Sequence, residues 1–100
     1  MNIQKMMKQA AKMQEELTAA LATKTVDVNV GGGNVTVTAN GLGDILAIKI
    51  SKQVVDPEDV EMLEDLILTG VKQAIEKGKG LAQSEMGKMT AGLGLPPGMM

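Results

Sequence analysis

The sequence predicts an α+β domain: a long N-terminal helix, a three-stranded antiparallel β-meander, a long C-terminal helix and a flexible Gly/Pro/Met tail, paired as a homodimer. Three observations carry this. Apolar residues recur at helical spacing over residues 2–22, alternate with polar ones over 25–50, and return to helical spacing after Asp56-Pro57. Asn40-Gly41 falls between two alternating runs, where a tight hairpin turn with both residues at positive φ is expected. A chain of 100 residues buries only about two-thirds of its unfolded surface. Three strands also leave open edges, so a second copy is expected to complete the core.

The first helix is predicted over residues 2–22. Ile3, Met6, Ala10, Met13, Leu17 and Ala20 follow one another at steps of 3 and 4, a heptad stripe about three repeats long. Gln, Lys, Met, Ala and Glu between them are good helix formers. Met6, Met13 and Leu17 are the candidates for packing against another helix or a second copy.

The meander follows. Val26, Val28 and Val30 alternate with Asp27 and Asn29; Val35, Val37 and Ala39 alternate with Asn34, Thr36 and Thr38. Leu46, Ile48 and Ile50 continue the apolar face, and Ile45 and Ala47 give the third strand an apolar second face, which suits cover on both sides.

Asp56-Pro57-Glu58-Asp59 is predicted to open the second helix, with Asp56 as N-cap and Pro57 in the first helical position. Val60, Leu63, Ile67, Val71, Ala74, Ile75 and Leu81 form its expected buried face. Gly70, Ala74, Gly78 and Ala82 recur every four residues as a smooth ridge. Glycines inside a helix cost roughly 1 kcal/mol each against alanine. Either close packing on another backbone at Gly70, Ala74 and Gly78, or fraying around Gly78-Lys79-Gly80, accounts for them. Residues 87–100, with Gly92, Gly94, Pro96, Pro97 and Gly98, are expected to form a flexible tail, which sets the domain at 1–86.

Composition excludes much. The chain has no His, Cys, Phe, Tyr, Trp or Arg. That removes the usual proton shuttle, the thiolate and imidazole metal ligands, aromatic stacking surfaces and the guanidinium fork for phosphate. No spacing pairs an acid with a base, so the chain is expected not to be an enzyme and to need no cofactor, metal or small-molecule substrate. The Met residues fit core and interface roles. Gly31-Gly32-Gly33 and Gly41-Leu42-Gly43 do not match a phosphate-loop pattern and read as strand connections. No apolar run reaches the ~20 residues of a membrane span, so a cytoplasmic, membrane-free protein is expected.

The net charge of −2 hides an uneven distribution. Lys5, Lys8 and Lys12 occupy one face of the first helix, in a stretch without acids. Asp56, Glu58, Asp59, Glu61, Glu64 and Asp65 cluster at the start of the second, where acids suit the helix dipole. Lys72 and Lys79 share a face farther along. Each lysine set reads either as a solvated surface or as a contact for an anionic partner.

These segments together resemble the YbaB/EbfC nucleoid-associated family. The residues that carry the resemblance are Met7-Lys8-Gln9-Ala10 with Lys12-Met13-Gln14-Glu15-Glu16, Gly31-Gly32-Gly33 with Val35, and Asn40-Gly41 with Gly43. They continue with Val55-Asp56-Pro57-Glu58-Asp59-Val60-Glu61-Met62-Leu63-Glu64-Asp65-Leu66, then Met86-Gly87-Lys88-Met89-Thr90 with Leu95-Pro96-Pro97-Gly98. The resemblance implies a homodimer of α-β-β-β-α subunits whose N-terminal helices project like tweezer arms. It also implies a location on the bacterial nucleoid, binding to double-stranded DNA and an effect on transcription or nucleoid organisation. Lys5, Lys8, Lys12, Lys72 and Lys79 then become the expected DNA contacts, mainly to phosphates. The alternative is a protein–protein interaction module using the heptad stripe and the acidic helix start.

Overall fold

The computed structural model describes residues 2–92. Helix α1 spans Ile3–Thr23, strands β1, β2 and β3 span Thr25–Val30, Val35–Asn40 and Ile45–Ile50, and α2 spans Val60–Gly92, with a short 3-10 turn at Lys52–Val54. The strands form one antiparallel sheet in the order β1-β2-β3. This is the predicted α+β order.

Helix α1 begins where Asn2 can cap it, since its side chain accepts the Lys5 N–H at 3.3 Å. The heptad stripe is only partly used. Met13 and Leu17 are half-buried and Leu21 is buried, whereas Ile3 and Met6 are 71% and 52% exposed. Burial grows toward the C-terminal end because that end meets the sheet. The Gly41 N–H donates to the Leu21 carbonyl at 2.9 Å and the Lys24 carbonyl at 3.2 Å. Asn40 supports the same junction. It is buried, donates from Nδ2 to the Ala22 carbonyl at 3.3 Å, and accepts the Leu42 and Asp44 N–H groups through Oδ1 at 3.0 Å each.

The register pairs Val28 with Val37 and Val37 with Ile48, which puts the apolar residues of all three strands on one face. On the other face Thr36 and Thr38 donate to the Asn29 and Asp27 side chains at 2.7 and 2.6 Å. Three expectations for the meander are corrected. Gly41 does not take the positive φ of a mirror-image turn; Gly43 does, at +86°, and the Gly43 N–H closes a turn on the Asn40 carbonyl at 3.1 Å. A three-residue loop ending in a left-handed glycine is the next standard hairpin solution. The register then shifts between Thr38 and Ala39, so Ala39 faces Ile45 and Leu46 is the extra residue. Ile45 therefore joins the core in place of Leu46. Finally, within the single chain β3 is not covered on both faces: Leu46, Ile48 and Ile50 are 52%, 41% and 39% exposed.

The core lies between α2 and the β1–β2 half of the sheet, around Val28, Val35, Val37, Ala39 and Ala74. Helix α2 starts three residues later than predicted. Asp56 caps a turn instead, accepting the Glu58 N–H at 2.9 Å, and Pro57 lies in that turn. Asp59 is the residue before the helix and accepts the Met62 N–H at 3.3 Å. Val60, one residue into the helix, is exposed rather than buried. Leu63, Leu66 and Val71 pack against the core as expected of that face, with Leu66 an addition.

The glycine ridge packs on the sheet. A Cβ at Gly70 would approach Val37 Cγ2 at 2.8 Å, and one at Gly78 would collide with the Asn40 carbonyl oxygen. The helix runs unbroken through Gly78-Lys79-Gly80, so close approach rather than fraying explains Gly78. Gly80 meets nothing within 4 Å. The helix also continues through Gly92, so residues 87–92 are not the irregular tail expected of them. The rest of that predicted tail, 93–100, lies outside the described residues. At 33 residues α2 is roughly 50 Å long and overshoots the ~20 Å strands.

Candidate functional site

An α-helix turns about 100° per residue, so Lys5, Lys8 and Lys12 fall within an arc of roughly 60° on α1. The stripe of Met6, Met13 and Leu17 occupies the opposite side. That side meets α2, where Ala10, Met13, Gln14, Leu17 and Met86 line a shallow groove of about 380 Å³. The lysine face thus turns away from α2. Residues 2–12 are all exposed, and Lys5, Lys8 and Lys12 hold no ion pair among the described residues. Glu15 and Glu16, the acids nearest in sequence to Lys12, do not pair with it either.

Lys72 and Lys79 are exposed on the side of α2 that faces away from the sheet, around a shallow surface they share with Ile75 and Glu76. Glu76 sits between them, which weakens any positive field there. No described contact joins this pair to the α1 lysines. Gly70, Ala74 and Gly78, by contrast, are buried against the sheet and present nothing to a partner.

One feature escaped the sequence. Lys24, the residue that ends α1, donates to Glu85 of α2, and Lys88 Nζ lies 3.5 Å from the same carboxylate oxygen. Only Glu85 and Lys88 share a helix. Nothing in the local pattern points across the 61 positions from Lys24 to Glu85. The hydrogen bond from Lys24 is the main reason that the Glu85 carboxyl lies below the ordinary carboxylate range; desolvation opposes it, and the charges of Lys24 and Lys88 add to it. A lowered folded-state pKa contributes stability above the ordinary carboxylate range, and that contribution is lost as the pH falls through the lowered value.

The acidic segment serves the backbone through Asp56 and Asp59, as described above. Among the described residues no three His, Cys, Asp or Glu side chains are placed to hold a metal ion. None of the described helices is long and apolar enough to cross a membrane.

The arrangement is that of a small helix–sheet protein whose first helix carries lysines on an exposed N-terminal half. Residues 1–93 match the YbaB/EbfC DNA-binding family, and the chain belongs to that family. It is 50% identical over 101 residues to a nucleoid-associated protein of Ruminiclostridium cellulolyticum, covering 98% of this chain and 88% of that protein. It is 53% identical over 89 residues to a nucleoid-associated protein of Bacillus cereus strain B4264, covering 89% of this chain and 78% of that protein. The crystal structure of an uncharacterized protein from Helicobacter pylori has the same fold, with a TM-score of 0.67 at 19% identity over 84% of this chain and 98% of that one.

Proposed function

We propose that this chain is a nucleoid-associated protein of the bacterial cytoplasm that binds double-stranded DNA as a homodimer, mainly through phosphate contacts, and thereby affects nucleoid organisation or transcription. The observation that carries the reading is the α1 face of Lys5, Lys8 and Lys12, which is exposed, free of ion pairs among the described residues, and borne on the exposed N-terminal half of the helix. Membership in a DNA-binding family supports DNA as the anionic partner. Lysine is a point charge suited to phosphate, while direct base readout favours arginine, which this chain lacks. Sequence preference should accordingly be weak. A titration against duplexes of unrelated sequence tests this: affinities within about threefold of one another are expected, and a strong preference for one duplex would require base readout.

The homodimer reading rests on β3. Ile48 and Ile50 share a face with the buried Val37 and Val35, yet α2 lies over β1 and β2 and leaves them exposed. An uncovered apolar strand at the edge of a sheet is a ready interface. A second copy, meeting it through a two-fold axis, would cover both faces at once. Replacing Ile48 with Lys is expected to convert the dimer to monomer in sedimentation velocity. Retention of the dimer would place the interface elsewhere. The stripe of Ile3 and Met6 is the surface on which the protein-interaction alternative would depend, and it lies opposite the lysines.

A further inference from the structure

Helix α1 meets the rest of the molecule mainly through its C-terminal half, where Met13, Leu17 and Ala20 are half-buried and Leu21 is buried, while residues 2–12 are all exposed. Three hydrogen bonds tie that end to the β2–β3 turn: Gly41 N–H to the carbonyls of Leu21 and Lys24, and Asn40 Nδ2 to the carbonyl of Ala22. All three lie close together, so they locate the end of the helix but act as a pivot for its direction. All of them run to one turn, so an attachment to a second element, α2, is needed to fix the angle. Met13, Leu17 and Met86 line a shared apolar groove, a surface that tolerates sliding. The Lys24–Glu85–Lys88 bridge is the polar one, and these are the only ion pairs among the described residues. Its carboxylate is the best sheltered of the three groups, with the Glu85 side chain 15% exposed.

We propose that Glu85 is a positioning residue for DNA binding: it clamps the pivot of α1 to α2 through Lys24, and so sets the line along which Lys5, Lys8 and Lys12 are presented. The inference rests on the DNA-binding reading above. The leverage is large. Lys5 lies 19 residues from Lys24, roughly 28 Å along the helix, so a 10° tilt displaces it by about 5 Å. A charge-assisted hydrogen bond to phosphate spans less than about 3 Å. Lys24 and Lys88 are occupied in this role, and Lys24 is not a phosphate ligand.

The test uses the opposite signs of two effects. Glu85→Gln removes a negative charge from a protein that binds a polyanion, so electrostatics alone would tighten binding. The positioning role requires the reverse: DNA affinity about 10-fold weaker at ~100 mM salt. The exchange K24E/E85K leaves the net charge unchanged and lets the carboxylate reach lysines at both 85 and 88. It is expected to restore affinity to within about threefold of the original. Because the chain has no Cys, cysteines introduced at Gln9 and Gln83 can carry spin labels, with labelled chains diluted into unlabelled ones. The Gln9–Gln83 distance distribution should broaden in E85Q and narrow again in the exchange variant. Unchanged distances, or E85Q binding as tightly as the original, would overturn the proposal while leaving the DNA reading intact. If the original protein binds no duplex, the DNA reading fails and this inference fails with it.

Discussion

Replacing Lys5, Lys8 and Lys12 together with alanine is expected to lower affinity for duplex DNA by at least about 100-fold at ~100 mM salt. In a dimer the change removes six lysines from the two projecting helices. The size follows from counterion release: each neutralised phosphate contributes about 0.9 to the salt exponent, so six contacts dominate binding near 0.1 M. The substitution is otherwise mild. All three side chains are exposed and unpaired among the described residues, and alanine is the best helix former. The oligomeric state and the thermal midpoint should persist, which separates loss of contact from loss of fold. Fluorescence anisotropy with a labelled duplex reads the first and sedimentation the second. Lys72→Ala with Lys79→Ala should cost less, because Glu76 already sits between those two lysines. If the α2 pair proves the more costly, the binding face has been assigned to the wrong helix.

The second large effect concerns two glycines only two positions apart. Gly78→Ala is expected to destabilise the protein by about 1–3 kcal/mol, because the new Cβ collides with the Asn40 carbonyl oxygen. That oxygen belongs to the buried Asn40, which also holds the end of α1, so the backbone there has little room to retreat. Gly80→Ala meets nothing within 4 Å and should stabilise by about 0.5–1 kcal/mol through helix propensity alone. Urea unfolding of the two variants gives the comparison directly. Equal effects at both positions would mean that α2 does not approach the β2–β3 turn this closely.

The same pair of glycines marks the limit of what the sequence makes legible. Both sit in the Gly78-Lys79-Gly80 stretch, and no local rule separates a glycine needed for contact from one that is merely tolerated. Period-two alternation in 25–50 is plain, but the phase of β3 is not. A single extra residue at Leu46 brings Ile45 to the core, and a bulge leaves no trace in a pattern that is apolar on both faces. Asp56-Pro57 has every mark of a helix start, yet Asp59 has the same capping chemistry and takes the position while Pro57 stays in a turn. Here two acceptable local solutions compete, and packing of Leu63 and Leu66 on the sheet decides. The lysine face of α1 is legible because it depends only on helical spacing within one segment. The Lys24–Glu85 clamp is not, because its partners are brought together only by the fold. Coverage of Gly70, Ala74 and Gly78 by the sheet, rather than by another helix, is likewise a tertiary outcome.

The proposed contact is between the lysines of α1 and the phosphates of DNA. The most direct measurement is the salt dependence of affinity for one duplex between about 50 and about 200 mM, made on the original protein and on the triple alanine variant. A plot of log affinity against log salt is expected to have a slope near −5 for the original protein and to flatten strongly in the variant. A shallow slope in the original protein, or a steep one that the variant retains, would contradict it.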